Sequence, residues 1–482
     1  MTIKDLNPSI VWNNFHELTR IPRPSKKEGK AVEYLYNFGK SLGLETIKDE
    51  AGNIIIRKPA TPGMEGRKGV ILQGHIDMVP QKNAGTVHDF EKDPIETWID
   101  GEWVKAKGTT LGADNGVGVA MALSVLQSDD LKHGPVEVLV TVDEETGMTG
   151  ARALRPGILH GDILINLDSE TEGELYIGCA GGLDATAMIP YRTEAAPAGY
   201  SAYRLKVAGC QGGHSGMDIV LGRANANKVL ARVLLPLLRD CGARLVSVEG
   251  GNMRNAIPRE ADAIVLLSDG KAAADLVKGI EEAVRSEYSV TDPQLGISLE
   301  PASAVASCID AEDALRCIRA LLASPEGVER MSNQMPGLVE TSNNTAIVKT
   351  EDGKFIIKTL MRSSVESAKE LLAERMRAVI ELADGTVAFE GGYPGWAPDS
   401  TSPVLHTMKT VYAKLYGKEP AVMAIHAGLE CGILSGAYPR LDKVSCGPTI
   451  MSPHSPDERV NIPSVEKCWN FLKAVLENIP EK

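Results

Sequence analysis

Asp143-Glu144-Glu145 sets carboxylates side by side directly after a largely apolar run, residues 136–142. That run has the length and composition of a strand. Neighbouring side chains of an extended chain point to opposite faces, so Glu144 and Glu145 cannot do one job from one place. One can hold a cation while the other takes a proton; the ordinary alternative is a solvated acidic turn. The arrangement recurs. Residues 69–73 stay apolar until Gln73 and lead into Gly74-His75-Ile76-Asp77, and residues 163–167 end at Asp168. Asp114 stands just before an apolar helical segment, 117–126, and a loop beyond the strand-like residues 444–448 carries His454.

His75, Asp77, Asp114, Glu144, Glu145, Asp168 and His454 together offer two imidazoles and several carboxylates without a cysteine. Zinc, cobalt or manganese at a hydrolytic centre takes such ligands, whereas structural zinc favours cysteines at short spacing. Each residue also has a plainer reading: His75 as a buried, satisfied histidine, Asp114 as a helix N-cap, Asp168 as a turn residue. Their joint occurrence at strand ends favours the metal. One residue separates His75 from Asp77, so both side chains point the same way. Asp77 can then accept the second imidazole N–H and set its tautomer. Asp114, ahead of a helix, can bridge two cations with its two oxygens.

The elements that must position these groups alternate between strands and helices, which implies an α/β fold with a mostly parallel sheet flanked by helices. Ligands of such sheets bind beyond the carboxyl ends of the strands. Ser25, with Glu28 three residues on, reads as the start of an early helix. Residues between Asp77 and Gly108, with Trp98 and Trp103, read as irregular. Near Gly178-Cys179-Ala180-Gly181-Gly182 the texture changes to an α+β pattern that is apparently written twice, with residues 252–257 and 341–347 at comparable places. One set runs from strand 202–208 to helix 272–286; a second begins with strand 296–300. Residues 391–398 form a turn-rich return. The expected organisation is a catalytic domain at 1–182 and 394–482, with an α+β lid domain inserted at 183–393.

The chain has 482 residues, 43% hydrophobic and 24% charged, with a formal net charge of −13. No Lys/Arg-rich run is present, so neither nucleic acid nor an anionic membrane is an expected partner. No apolar stretch reaches spanning length, and the first residues lack a signal-peptide core. Eight cysteines, none in a C-x-x-C pair, read as free thiols of a reducing compartment, which implies the cytoplasm. Residues 112–118 lack the G-x-G-x-x-G spacing of a dinucleotide loop, and Gly213-His214-Ser215-Gly216-Met217 lacks the last glycine of a nucleophile elbow. His16, His88, His133, His160 and His406 suggest no partners; His426, near Gly428, stands close to candidate substrate residues.

Gly74-His75-Ile76-Asp77-Met78-Val79, Leu111-Gly112-Ala113-Asp114-Asn115-Gly116, Asp143-Glu144-Glu145-Thr146-Gly147, Asn166-Leu167-Asp168-Ser169-Glu170 and Gly213-His214-Ser215-Gly216 together resemble the two-zinc metallopeptidases, the family of carnosinases, cytosolic dipeptidases, peptidase V and aminoacylases. Ala427-Gly428-Leu429-Glu430-Cys431-Gly432 and Ser452-Pro453-His454-Ser455-Pro456 extend the likeness over essentially the whole chain. The resemblance implies two Zn2+ per subunit, replaceable by Co2+ or Mn2+. His75, Asp114 and Asp168 would hold one ion, and Asp114, Glu145 and His454 the other, with Glu144 as general base, Asp77 behind His75 and a cis peptide at Asp114–Asn115. It also implies that His214 donates to the developing oxyanion and that Asn255, Arg362 and Gly428 bind substrate. A surface ion pair for Arg362 and a turn for Asn255 are the alternatives. The implied activity is hydrolysis of small unblocked dipeptides, Xaa-His included, with β-alanyl-histidine as a candidate. An N-acyl amino acid deacylase, a tripeptide aminopeptidase and a non-catalytic metal- or peptide-binding protein are the rivals. Smaller relatives take the lid histidine from a partner subunit, so a homodimer and a monomer with a doubled lid both stay open.

Overall fold

A computed structural model describes residues 2–482. The chain divides into two compact units, one of residues up to Gly178 with 398–424 and 429–482, the other of 179–397 with 425–428. The expected boundaries at 182/183 and 393/394 therefore lie a few residues inside the second unit. Cys179 N donates to Trp396 O and Trp396 N to Cys179 O, both at 2.9 Å, and Ala180 N donates to Ala427 O at 3.0 Å. These bonds weave residues 179–182, 394–397 and 425–428 into that unit.

The first unit is built on an eight-stranded sheet in the order Glu45–Lys48, Ile54–Lys58, Val136–Thr141, Val70–His75, Ile163–Asn166, Asp442–Ser445, Glu174–Cys179, Ala421–Ile425. Its four central strands, from Val136–Thr141 to Asp442–Ser445, run parallel; Glu45–Lys48 pairs antiparallel with Ile54–Lys58, Ile54–Lys58 with Val136–Thr141, and Asp442–Ser445 with Glu174–Cys179. Val70–His75, Val136–Thr141 and Ile163–Asn166 are buried at every position, as strands covered on both faces must be. Helix Ala113–Gln127 is buried along almost its whole length, and Asp114 and Asn115 inside its first turn depart from helical φ/ψ. The peptide bond between those two residues is cis.

Two local readings change. Helix Gly29–Ser41 starts after Glu28 and not at Ser25: the chain turns left-handed at Lys26, φ 69°, and Glu28 Oε1 accepts Lys26 N at 2.8 Å, while Ser25 Oγ donates to Asp77 Oδ2 at 2.8 Å. The stretch containing Trp98 and Trp103 is a hairpin of Thr97–Asp100 and Trp103–Ala106. It joins Ile450–Met451 and Arg459–Asn461 in a small four-stranded sheet, so the loop carrying His454 hangs between two paired strands.

The second unit is a nine-stranded antiparallel sheet with four helices, Ala226–Asp240, Gly270–Glu287, Ala311–Ala323 and Glu366–Glu381, sharing its core. Asn225, Asp269 and Asp310 cap the first three, each accepting backbone N–H groups of the first turn. The sheet runs Gly296–Pro301, Ser201–Ala208, Ala261–Leu267, Arg244–Gly250, Val339–Glu351, Lys354–Ser363, Gly181–Pro190, Thr386–Tyr393, with the ninth strand, Gly327–Met331, pairing beside Val339–Glu351. It is a β-α-β-β-α-β pattern twice over, the halves joined where Arg244–Gly250 pairs with Val339–Glu351. The doubling is differently divided from the sequence reading: Gly296–Pro301 closes the first half, and the second half opens with Gly181–Pro190, before the first half begins. Residues 341–347 lie inside a strand, whereas 252–257 follow one and end in the two-residue strand Ala256–Ile257, paired with Gly213–His214.

Candidate functional site

In the first unit the strand ends deliver one cluster. His75 closes Val70–His75, Glu144 and Glu145 follow Val136–Thr141, and Asp168 follows Ile163–Asn166. The turn presenting the glutamates is fixed by Asp143, whose φ is 55° and whose carboxylate accepts from Thr146 Oγ1 and from Thr149 Oγ1. His75 Nε2 lies 3.1 Å from Asp114 Oδ1 and 3.3 Å from Asp168 Oδ1. His454 Nε2 lies 3.1 Å from Asp114 Oδ2 and 2.9 Å from Glu145 Oε2. Asp114 thus turns one oxygen to each histidine.

Each ring nitrogen faces two carboxylate oxygens, and a proton on it can satisfy only one. Glu145 Oε1 and Asp168 Oδ1 are buried without a hydrogen-bond donor. Unpaired buried anionic oxygens are costly, and a cation within reach of each nitrogen and its oxygens resolves both shortages. Ligand atoms of His75, Asp114 and Asp168, of Asp114, Glu145 and His454, and of His75, Glu144 and Glu145 lie within 4.8 Å of one another in each group. The donor set therefore fits divalent metal.

Asp77, fully buried, holds the cluster from behind. Its Oδ1 lies 3.3 Å from His75 Nδ1 and accepts Glu144 N at 3.0 Å, while Oδ2 accepts Glu145 N at 3.2 Å. Burial works against ionising Asp77, but His75 and these donors outweigh it and bring its pKa down to about 2. Burial likewise disfavours charged His75, yet Asp168, Asp114 and Asp77 more than reverse this and hold its pKa well above the usual value. Burial pushes Asp168 up to about 6 against the pull of His75. It also raises Glu144 well above an ordinary carboxyl, with Asp168, Glu430 and Glu145 adding repulsion.

Several contributing residues escaped the sequence reading. Arg23, 1% exposed, donates to Ile76 O at 2.7 Å and to Gly112 O at 2.6 Å. Glu458, 2% exposed, accepts the backbone N–H groups of Leu111, Gly112, Ala113 and Asp114 at 2.7 to 3.1 Å. Glu430 Oε2 accepts from Gln73 Nε2 at 2.6 Å and Thr141 Oγ1 at 2.7 Å. The one local signal for Glu458 was an acidic residue four positions after His454.

In the second unit, strand-end and loop residues gather around a buried guanidinium. Arg362 Nε donates to Ser215 Oγ at 3.4 Å and Nη1 to Tyr393 Oη at 3.3 Å. His214 Nδ1 accepts Gly216 N at 3.2 Å and Met217 N at 3.1 Å, which assigns the ring proton to Nε2 as a donor. Burial and the charge of Arg362 lower the pKa of His214, keeping the ring neutral. His426 is buried, with Nε2 2.7 Å from Ser342 Oγ, and burial and Arg362 bring it down to about 3. Gly428 leaves room for the Tyr393 ring, which an added Cβ would approach to 3.1 Å. Asn255 is exposed and its backbone carbonyl accepts Ser215 N at 2.8 Å. His133 is buried against the carbonyl of Gly134 and His160 is an exposed neighbour of Glu137; neither approaches a site.

The chain is 46% identical over 482 residues to the cytosol non-specific dipeptidase of Escherichia coli strain K12, covering 100% of this chain and 99% of that one. The crystal structure of aminoacylhistidine dipeptidase from Vibrio alginolyticus matches with a TM-score of 0.96 at 46% identity, over 100% of this chain and 99% of that chain. Aminopeptidase PepT from Bacillus cereus shares the fold, with a TM-score of 0.58 at 17% identity over 98% of this chain and 99% of that chain. Residues 71–478, which contain His75, Asp77, Asp114, Glu144, Glu145, Asp168 and His454, match the peptidase family M20/M25/M40. With that match, and a full-length relative at this identity, the chain belongs to peptidase family M20/M25/M40.

Proposed function

We propose that this protein is a cytoplasmic, metal-dependent dipeptidase that hydrolyses unblocked dipeptides, Xaa-His among them. The observation that carries the reading is the division of Asp114 between two imidazoles, Oδ1 3.1 Å from His75 and Oδ2 3.1 Å from His454. His75, Asp114 and Asp168 would hold one ion and Asp114, Glu145 and His454 a second, with zinc as the expected metal and cobalt or manganese able to replace it. Such ions supply Lewis acidity to a scissile carbonyl and to an attacking water.

The remaining steps fall to the chain's own residues. Glu144 takes the proton of the attacking water and delivers it to the leaving nitrogen, and a carboxyl pKa raised by burial suits both transfers. Asp77 keeps the His75 ring oriented and anchors the backbone of Glu144 and Glu145. His214 donates from Nε2 to the oxyanion as it develops. Arg362 takes the C-terminal carboxylate, whose geometry its fork matches, and Asn255 and Gly428 complete the substrate contacts.

Free dipeptides, tripeptides and N-acetyl amino acids, assayed before and after chelation, test the reading. Free dipeptides are expected to be cleaved fastest, with activity abolished by EDTA and restored by zinc or cobalt. Chelator-resistant cleavage, or preference for N-acetyl amino acids, overturns it.

A further inference from the structure

We infer that Glu458 is the positioning residue of the metal centre, its buried carboxylate fixing the loop that presents Asp114 and tying it to the loop that presents His454. The inference rests on the metal-site reading above. Four successive backbone N–H groups, Leu111 to Asp114, converge on this one side chain at 2.7, 2.9, 2.7 and 3.1 Å. Oε2 takes the first two and Oε1 the last two. Gly112, with φ 68°, gives the turn that aims them inward, a left-handed conformation that glycine adopts without penalty. Such a concavity of amides is built for an anion, and here the chain supplies the anion itself.

The reach of the contact gives it its consequence. Glu458 lies 344 positions from Asp114 along the chain and four beyond His454. Its segment is also held by strand Arg459–Asn461 pairing with Trp103–Ala106. From the other side Arg23 fastens the Gly112 carbonyl to that of Ile76, next to His75. The Asp114 loop is therefore clamped between the segments carrying the two histidines that its oxygens face. Ser452 and His454 hold φ at 54° and 58°, a left-handed backbone that side chains other than glycine keep only where the surroundings enforce it. The anchor at Glu458 is part of that enforcement.

A plain structural cap would affect folding alone; a positioning residue changes how metal is held. Wild-type protein, Glu458→Gln and Glu458→Asp are stripped with chelator and checked for folding by circular dichroism. Each is then titrated with Co2+, reading the visible spectrum and bound ions per chain. The glutamine variant points an amide at two N–H donors. It is expected to bind Co2+ at least tenfold more weakly, on the scale of a lost supporting contact, with an altered spectrum. The aspartate variant, charged but one methylene short, is expected between it and wild type. A folded glutamine variant with wild-type affinity and spectrum overturns the inference. If that variant does not fold, the aspartate variant decides by the same criterion. Wild-type protein that binds no Co2+ overturns the metal-site reading itself, a different result from wild-type binding undisturbed in the variants.

Discussion

Arg362 offers a test that its surroundings make quantitative. The residue is 5% exposed, and its hydrogen-bond partners are two neutral hydroxyls at 3.4 and 3.3 Å. No carboxylate forms an ion pair with it among the described residues, although buried charges are ordinarily paired. A substrate carboxylate would be that partner. Two unit charges about 4 Å apart at an effective dielectric of about 20 attract by about 4 kcal/mol. Discounted for imperfect alignment to between about 2 and 4 kcal/mol, this is about 30- to 1,000-fold in rate. Wild-type enzyme is therefore expected to favour a dipeptide over its C-terminal amide by about that factor in kcat/KM. In Arg362→Ala the preference should collapse to within a few-fold, mainly because the acid is cleaved more slowly. Steady-state kinetics on both substrates with both proteins close the cycle. Arg362→Ala that still separates acid from amide by the wild-type factor refutes the carboxylate role.

Glu144→Gln should retain metal yet lose kcat by about 10²- to 10⁴-fold, the usual contribution of a general base; turnover within tenfold of wild type at full metal content removes Glu144 from that role. Metal-free protein should become less stable as pH rises. Asp168 is raised to about 6, Glu430 to about 7, and His454 to about 11. A group with a raised folded pKa stabilises fully below its unfolded value and loses that contribution as pH climbs through the folded one. The melting temperature of chelated protein is thus expected to fall between pH 6 and pH 9, and metal-loaded protein should show a smaller fall; a chelated protein that gains stability over that range contradicts the assignment.

The seven polar groups of the first unit were readable because most end or follow an apolar run and Asp114 stands just ahead of one, and a buried parallel strand announces itself by composition. What could not be read is what converges from afar. Glu458 sits in Ser455-Pro456-Asp457-Glu458, a stretch that looks like a solvated loop until four amides meet it. Arg23 lies between two prolines, and nothing in that stretch announces contacts made 53 and 89 residues away. Strand Gly181–Pro190 was missed because Gly181, Gly182, Asp184 and Thr186 interrupt its apolar positions, and with it went the correct division of the repeat. Ser25 has the right type and spacing for a cap, but the backbone turns left-handed at Lys26, and the Ser25 hydroxyl points to Asp77, a contact made 52 residues away.

The strand that opens the second unit, Gly181–Pro190, pairs directly with the strand that closes it, Thr386–Tyr393, and Cys179 and Trp396 are bonded just outside that pair. Way in and way out are adjacent, so removing everything between them would leave a gap that a short peptide spans. A module with such neighbouring ends can be grafted into an existing loop in a single genetic event without retying the host chain. The same adjacency marks 179 and 396 as the places to cut, with residues 425–428 exchanged alongside, when moving this module between relatives with different substrate preferences.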